Sequence, residues 1–318
     1  MDTEFATLRR SGIGGSDAGA ILGLSPWKSP LDVYFEKIGE ADSSQDTAST
    51  YWGRKLEDLV ADEYAERTGR RIERCNDTLR HPLMEWQMAH VDRLVWRDGK
   101  RPRVRNQIRT DRILECKTAG AHMAQEWGEA GTDQVPAVYI AQVQHYLAVT
   151  GCEVADLAVL IGGRDFRIYE IPRDDELIHA IVEAEREFWW RCVDRRPPDP
   201  RSLADMARRW PRDTGGTVVA DAITAGAVDA LREMKAQRAT LDADIDTLEA
   251  AVKKVLMDNT TLAGPDGRPL ATWKVQTAKR LDHARLKAEH ADLVGQYMTE
   301  STTRVFRLAS HKALKEAS

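Results

Sequence analysis

Up to about residue 195, short apolar runs of period two alternate with longer stretches of helical spacing, the pattern of a mixed α/β domain. In "WGRKLEDLVADEYAERTG", Val60, Ala61 and Tyr64 fall on one helical face. Glu57 shares that face, whereas Asp58, Asp62 and Glu66 point away. "AVYIAQVQHYLAVTG" is almost wholly apolar and predicts a buried helix. "WQMAHVDRLVWRDG" alternates as a strand, with Asp92 between Val91 and the apolar pair Leu94 and Val95. "RILECKTAG" predicts a second strand, with Ile113, Glu115 and Lys117 on one face and Leu114 and Cys116 on the other. The basic segment Asp98–Asn106 reads as part of a hairpin connection that brings the two strands side by side.

Asp194 to Gly216 is rich in Pro, Arg and Asp and predicts a linker or surface excursion. Next comes a long helix in which Ala227, Leu231, Met234, Leu241, Ile245, Leu248, Val252 and Val255 form a heptad seam, interrupted only at Arg238. Such a seam packs back on its own domain as a helical hairpin or serves as an arm for a partner, and the first is the simpler expectation. "TTLAGPDGRPLATWKVQT" predicts a β-hairpin turning at Gly264–Gly267, with Ala271, Trp273 and Val275 alternating along its second strand. A last helix from Asp282 toward Tyr297 and a short strand, "RVFRLA", complete the chain. The expected organisation is a core over 1–195, a linker or surface excursion over 196–226, and a helical and hairpin module over 227–318.

At 42% hydrophobic and 31% charged the chain has a globular composition with material for a core. It has no run of 18 apolar residues, so no membrane helix is expected, and a Gly/Ser-rich stretch replaces the apolar core of a secretory signal. Four scattered cysteines without a CxxC pair argue against a disulfide scaffold or a zinc ribbon and leave a reducing cytoplasm as the expected compartment. A net charge of −5 does not announce nucleic acid, yet a local channel can grip DNA without a basic pI.

Glu115 and Lys117 on one strand face offer a carboxylate for a divalent metal beside an ammonium for a nucleophilic water or phosphoryl oxygen. Taken alone, E-x-K is a weak signal and reads first as a surface ion pair. Asp92 on the neighbouring strand would converge with Glu115, and Asp111 ranks behind it because it lies at a strand entrance. Glu57 is an acid on a core-facing stripe, or a half-exposed one at its edge. Gln142, Tyr146 and the adjacent His145 are polar groups on a buried helix, with a functional role or as satisfied core hydrogen bonds. Gly12, Gly14 and Gly15 before Ser16-Asp17 suggest an exposed-backbone anion site at a helix start, or a plain capped helix.

The order of these motifs carries more than each one alone. R-x-x-G-I-G-G-S-D from Arg9, then G-x-x-L-E, V-D, E-C-K and Q-x-x-x-Y resemble the YqaJ-like viral recombinase family, which is similar to lambda exonuclease within the PD-(D/E)XK nuclease superfamily. The resemblance spans roughly residues 8–195 and departs from the superfamily name in having Val91 where Pro would precede Asp92. It implies a PD-(D/E)XK core, a mixed central sheet flanked by helices, with a helical and β-hairpin C-terminal extension. It implies metal ligands at Asp92, Glu115 and the Cys116 carbonyl, Glu57 as a further acid, and Lys117 as the catalytic lysine. Gln142 and Tyr146 would support the metal and DNA, and Arg9 and Ser16 match positions for a 5′-terminal phosphate. The implied activity is a Mg²⁺-dependent exonuclease, Mn²⁺ substituting, that digests one strand of a duplex end from the 5′ side and passes single strand to an annealing protein. A ring trimer is the implied assembly. An endonuclease or single-strand-specific nuclease, and a non-catalytic DNA-binding scaffold using the heptad arm, are the rival expectations.

Overall fold

A computed structural model describes residues 3–41, 47–104 and 107–309. It divides into two compact units, Met1–Arg209 and Trp210–Ser318. The first unit opens with α1 (Thr3–Arg10), β1 (Ile13–Gly14), α2 (Gly15–Ile21), α3 (Pro30–Ile38) and α4 (Ala48–Thr68). Seven strands follow: β2 (Ile72–Arg74), β3 (Leu79–Arg80), β4 (Gln87–Ala89), β5 (Arg93–Val95), β6 (Arg103–Val104), β7 (Gln107–Ile108) and β8 (Arg112–Ala119). It closes with α5 (Ala137–Thr150), β9 (Val154–Ile161), β10 (Asp165–Pro172), α6 (Asp175–Val193) and α7 (Leu203–Arg209).

The main sheet has strand order β10-β9-β8-β5-β2. β8 and β9 are parallel, joined across α5, and the other pairings are antiparallel, so the sheet is mixed as expected. Alternation along β8 sets the two layers. Ile113 packs with Val143 and Leu147 of α5, whereas Leu114 and Cys116 pack with Val60, Ala61 and Tyr64 of α4. Glu115 and Lys117 therefore belong to the α5 side of the sheet.

The strand expected through "WQMAHVDRLVWRDG" is two strands. β4 joins a small sheet with β1 and β3, and β5 joins the main sheet, so Asp92 sits at the corner where the chain changes sheets. Within the connection to β8, β6 and β7 pair as a hairpin whose tip, residues 105–106, lies outside the described residues. The segment read as a linker contains α7, and its buried Asp205 accepts hydrogen bonds from Ser29 Oγ (2.7 Å) and Arg201 N (2.8 Å).

The second unit holds α8 (Ala222–Leu256), β11 (Thr261–Ala263), β12 (Pro269–Thr272), α9 (His283–Glu289) and α10 (Ala291–Gln296). Asp221 caps α8 through the Thr224 N–H (2.7 Å). Most of the seam is exposed, with Met234 at 65% and Leu248 at 68%, so the expected helical hairpin does not form along it. At its C-terminal end Leu256 is buried, and Ile245, Leu248 and Val252 share a cleft with Ala271 and Trp273. The hairpin forms as expected, but its second strand stops at Thr272 because β11 offers three residues to pair with. The expected Asp282–Tyr297 helix breaks at His290, which leaves the helical region at φ −137° and ψ 50°. "RVFRLA" forms no strand, as β11 and β12 pair only with each other among the described residues. No helix among the described residues is long and apolar enough to cross a membrane.

Candidate active site

The β5–β8 ladder pairs Arg93 with Leu114, so Asp92 lies one step further along, opposite Glu115. Its Oδ2 accepts the Cys116 N–H at 2.8 Å, which ties the carboxylate to β8 just past the end of that ladder. Glu115 is 4% exposed. Its Oε1 accepts from Lys117 Nζ (2.5 Å) and Gln142 Nε2 (2.8 Å), whereas its Oε2 is buried without a hydrogen-bond partner. Gln142 Nε2 also reaches the Tyr146 hydroxyl at 3.0 Å. The polar face expected on α5 therefore grips the candidate catalytic acid.

Lys117 Nζ also lies 5.3 Å from the centre of the Tyr139 ring. Tyr139 escaped the sequence reading, although 139, 142 and 146 follow the i, i+3, i+7 spacing of one helical face. Gly15 closes the site from α2, since a β-carbon there would lie 2.4 Å from Tyr146 Cε1. Gln144 points elsewhere and donates to Pro172 O at 2.7 Å.

Glu57 does not join this pair. α4 packs on the face that carries Arg93, Leu114 and Cys116, and Arg93 Nη1 holds Glu57 Oε1 at 2.7 Å. The same Nη1 donates to the Asp92 carbonyl at 2.7 Å. Glu57 is thus a neighbour of Asp92 through an arginine that the sequence reading did not single out. Asp111 pairs with Arg97 at 3.1 Å. Among the described residues no group of three or more His, Cys, Asp or Glu converges on one point, so the three-acid cluster expected from the resemblance is not formed.

Electrostatics mark the remaining pair as incomplete. Burial, then the Glu115 charge, push the Asp92 carboxyl well above the usual carboxylate range despite Lys117 and the Cys116 N–H. Burial alone pulls the Lys117 ammonium down, but Glu115 and Asp92 outweigh it and hold it above its ordinary value. Burial, then Asp92 and Glu115, push the Cys116 thiol up, and its side chain packs on the α4 face, opposite Glu115. Two facing carboxylates with one orphaned buried oxygen are the donor chemistry that a hard divalent cation takes. Mg²⁺ needs only one or two carboxylates and keeps several waters.

At the N-terminus, the N-cap of α2 is Gly14 rather than Ser16 or Asp17, and Asp17 Oδ2 accepts the Gly14 N–H at 3.1 Å. Ser16 is exposed inside the first turn. Asp17 is 1% exposed and meets Lys37 (2.6 Å), Lys28 (3.5 Å) and Arg9 (3.6 Å). Burial pushes its carboxyl up, yet these three cations hold it far below the usual range. The structure thus gathers a cluster of cations around Asp17, the residue after Ser16, and hydrogen-bonds Ser16 to none of them.

His145 is fully buried, with Nδ1 2.7 Å from Glu185 Oε1 and Nε2 2.7 Å from Met88 O. Its ring is thus a hydrogen-bonding bridge between Glu185 and the β4 backbone. With Glu185 ionised both partners can only accept, and both ring nitrogens then donate. Burial opposes that charge, but Glu185 raises the imidazole above its ordinary value. A raised histidine stabilises the fold fully below about pH 6.5 and loses that contribution as pH rises through the raised value. The melting temperature should accordingly fall as pH rises above about 6.5 more steeply in the wild type than in Glu185→Gln. Parallel curves would show that the ring is neutral.

The profile of the YqaJ-like viral recombinase domain matches residues 4–153. The protein YqaJ of Bacillus subtilis (strain 168) is 35% identical over 314 residues, which cover 95% of this chain and 92% of that protein. Among solved structures, an alkaline exonuclease from Laribacter hongkongensis is 16% identical with a TM-score of 0.46, over 61% of this chain and 94% of that one. A phage-related exonuclease from Haemophilus somnus 129PT is 13% identical with a TM-score of 0.41, over 60% and 99%.

Proposed function

The chain belongs to the YqaJ-like viral recombinase family, and on that premise we propose that it is a Mg²⁺-dependent deoxyribonuclease that digests one strand of linear duplex DNA from the 5′ end. The observation that carries this reading is the orphaned Glu115 Oε2, buried opposite Asp92 and beside Lys117. Asp92, Glu115 and the Cys116 carbonyl would hold the cation. When bound, such an ion polarises the scissile phosphate and lowers the pKa of a coordinated water.

The remaining work falls to the chain's own groups. Lys117 stays protonated against Glu115 and presents its charge to a phosphoryl oxygen as negative charge builds there. Gln142 fixes the Glu115 rotamer, and Tyr146 holds Gln142. Arg93 keeps Glu57 engaged and leaves Asp92 as the acid that faces Glu115. In this reading the single strand left behind passes to a phage-type annealing protein, and a ring trimer threaded by the duplex is the assembly that would keep the enzyme on its substrate.

Arg9 and Ser16 are proposed to take the 5′-terminal phosphate, supported by the cation cluster around Asp17. Wild type should then digest 5′-phosphorylated duplex faster than 5′-hydroxyl duplex, and Arg9→Ala should abolish the preference. A wild type indifferent to the 5′ group, or a variant with the full preference, removes Arg9 from the site.

A further inference from the structure

The loop between α2 and α3 presents an exposed aromatic ring beside a cation that the fold leaves uncommitted. Trp27 is 61% exposed on the segment Ser25-Pro26-Trp27-Lys28-Ser29. Both ends of this loop are fixed. Ser25 Oγ accepts the Trp27 N–H at 3.3 Å, and Ser29 caps α3 while donating to the buried Asp205. The indole is therefore held on a short, braced loop.

A cleft of about 480 Å³ opens between this loop and the α7 segment. Its three lining cations are Lys28, Arg208 and Arg201. Lys28 is committed to Glu36 at 2.5 Å and Arg208 to Asp32 at 2.5 Å. Arg201 has no ion-pair partner among the described residues, and its guanidinium rests on Gly23, where a β-carbon would lie 1.8 Å from Nη1. A free guanidinium and an exposed indole facing one cleft form a complementary pair for a phosphate and a base.

The cleft also points toward the chemistry. The Trp27 and Tyr139 ring centres are 6.4 Å apart, and Tyr139 carries Lys117 on its face at 5.3 Å. Trp27 thus lies a few nucleotides from the candidate scissile bond, given a rise of about 3.4 Å per nucleotide along a strand.

We propose that the cleft between the Ser25–Ser29 loop and α7 is a nucleotide subsite in which Trp27 stacks on a base and Arg201 holds a phosphate. This deepens the nuclease reading and rests on it. The nucleotide has two possible sources, the substrate strand on its way to Lys117 or the mononucleotide released there. The competing explanation is structural, with Arg201 serving only the carbonyl end of α2.

The test is binding of a 3′-labelled single-stranded 12-mer, and separately of dTMP, to the full-length protein in EDTA. Wild type, Arg201→Ala, Arg201→Lys, Trp27→Ala and Trp27→Phe are compared across a salt series. If the strand occupies the cleft, Trp27→Ala weakens 12-mer binding about tenfold and Trp27→Phe restores most of it. Arg201→Ala lowers the slope of log affinity against log salt by about 0.7, and Arg201→Lys keeps it. Losses confined to dTMP identify the cleft as a product site and also support a nucleotide subsite. Wild-type affinity and salt slope in both arms for Arg201→Ala and Trp27→Ala overturn the proposal, whatever happens to the melting temperature. Cleavage is scored separately. A wild type that binds with these dependences but never cleaves counts against the nuclease reading, and one that cleaves while the variants bind normally counts against the subsite.

Discussion

Lys117→Ala should slow DNA cleavage by about 10²-fold or more while leaving duplex binding nearly unchanged. The ammonium is fixed 2.5 Å from Glu115 Oε1 and lies over the Tyr139 ring, so its charge is already in place before the transition state forms. Truncation removes that charge but leaves the Gln142 contact to Glu115. Affinity for duplex, set by many phosphate contacts, changes little with the loss of one half-buried lysine. Single-turnover cleavage and filter binding on the same preparation separate the two effects. Cleavage at the wild-type rate would show that the Glu115–Lys117 pair is structural.

Glu115→Gln should have an effect at least as large. Glutamine preserves the shape of the side chain but removes the charge from a carboxylate whose Oε2 has no protein partner. In the wild type, Mg²⁺ or Mn²⁺ should raise the melting temperature saturably, because a ligand that binds only the folded state stabilises it. In Glu115→Gln that rise should vanish, and cleavage should drop by about 10²-fold or more. A full metal-dependent rise in the variant would place the cation elsewhere.

The core of this site was readable from the sequence because period two and period 3.6 are strong signals. Period two placed Glu115 and Lys117 together on β8, and helical spacing placed Gln142 and Tyr146 together on α5. What escaped depends on long-range packing. Nothing local marks Arg93 as the partner of Glu57, or Glu185 as the partner of His145 forty positions away. The corner at Asp92 was hidden because alternation continues across it while the chain passes from one sheet to another. Ser16 was expected near a cap, but glycine at position 14 fills that role without a side chain. Compositional bias made residues 194–216 read as a linker or surface excursion, and the buried Asp205 that anchors α7 is one polar residue in a polar stretch.

The central claim is that Asp92 and Glu115 form a metal-dependent, end-directed nuclease site. The most direct test is a digestion time course of the wild-type protein on linear and closed-circular duplex, each in Mg²⁺ and in EDTA. Linear duplex should disappear only in Mg²⁺, and circular duplex should survive in both. Robust cleavage in EDTA would contradict the metal site, and equal loss of circular duplex would contradict digestion from an end.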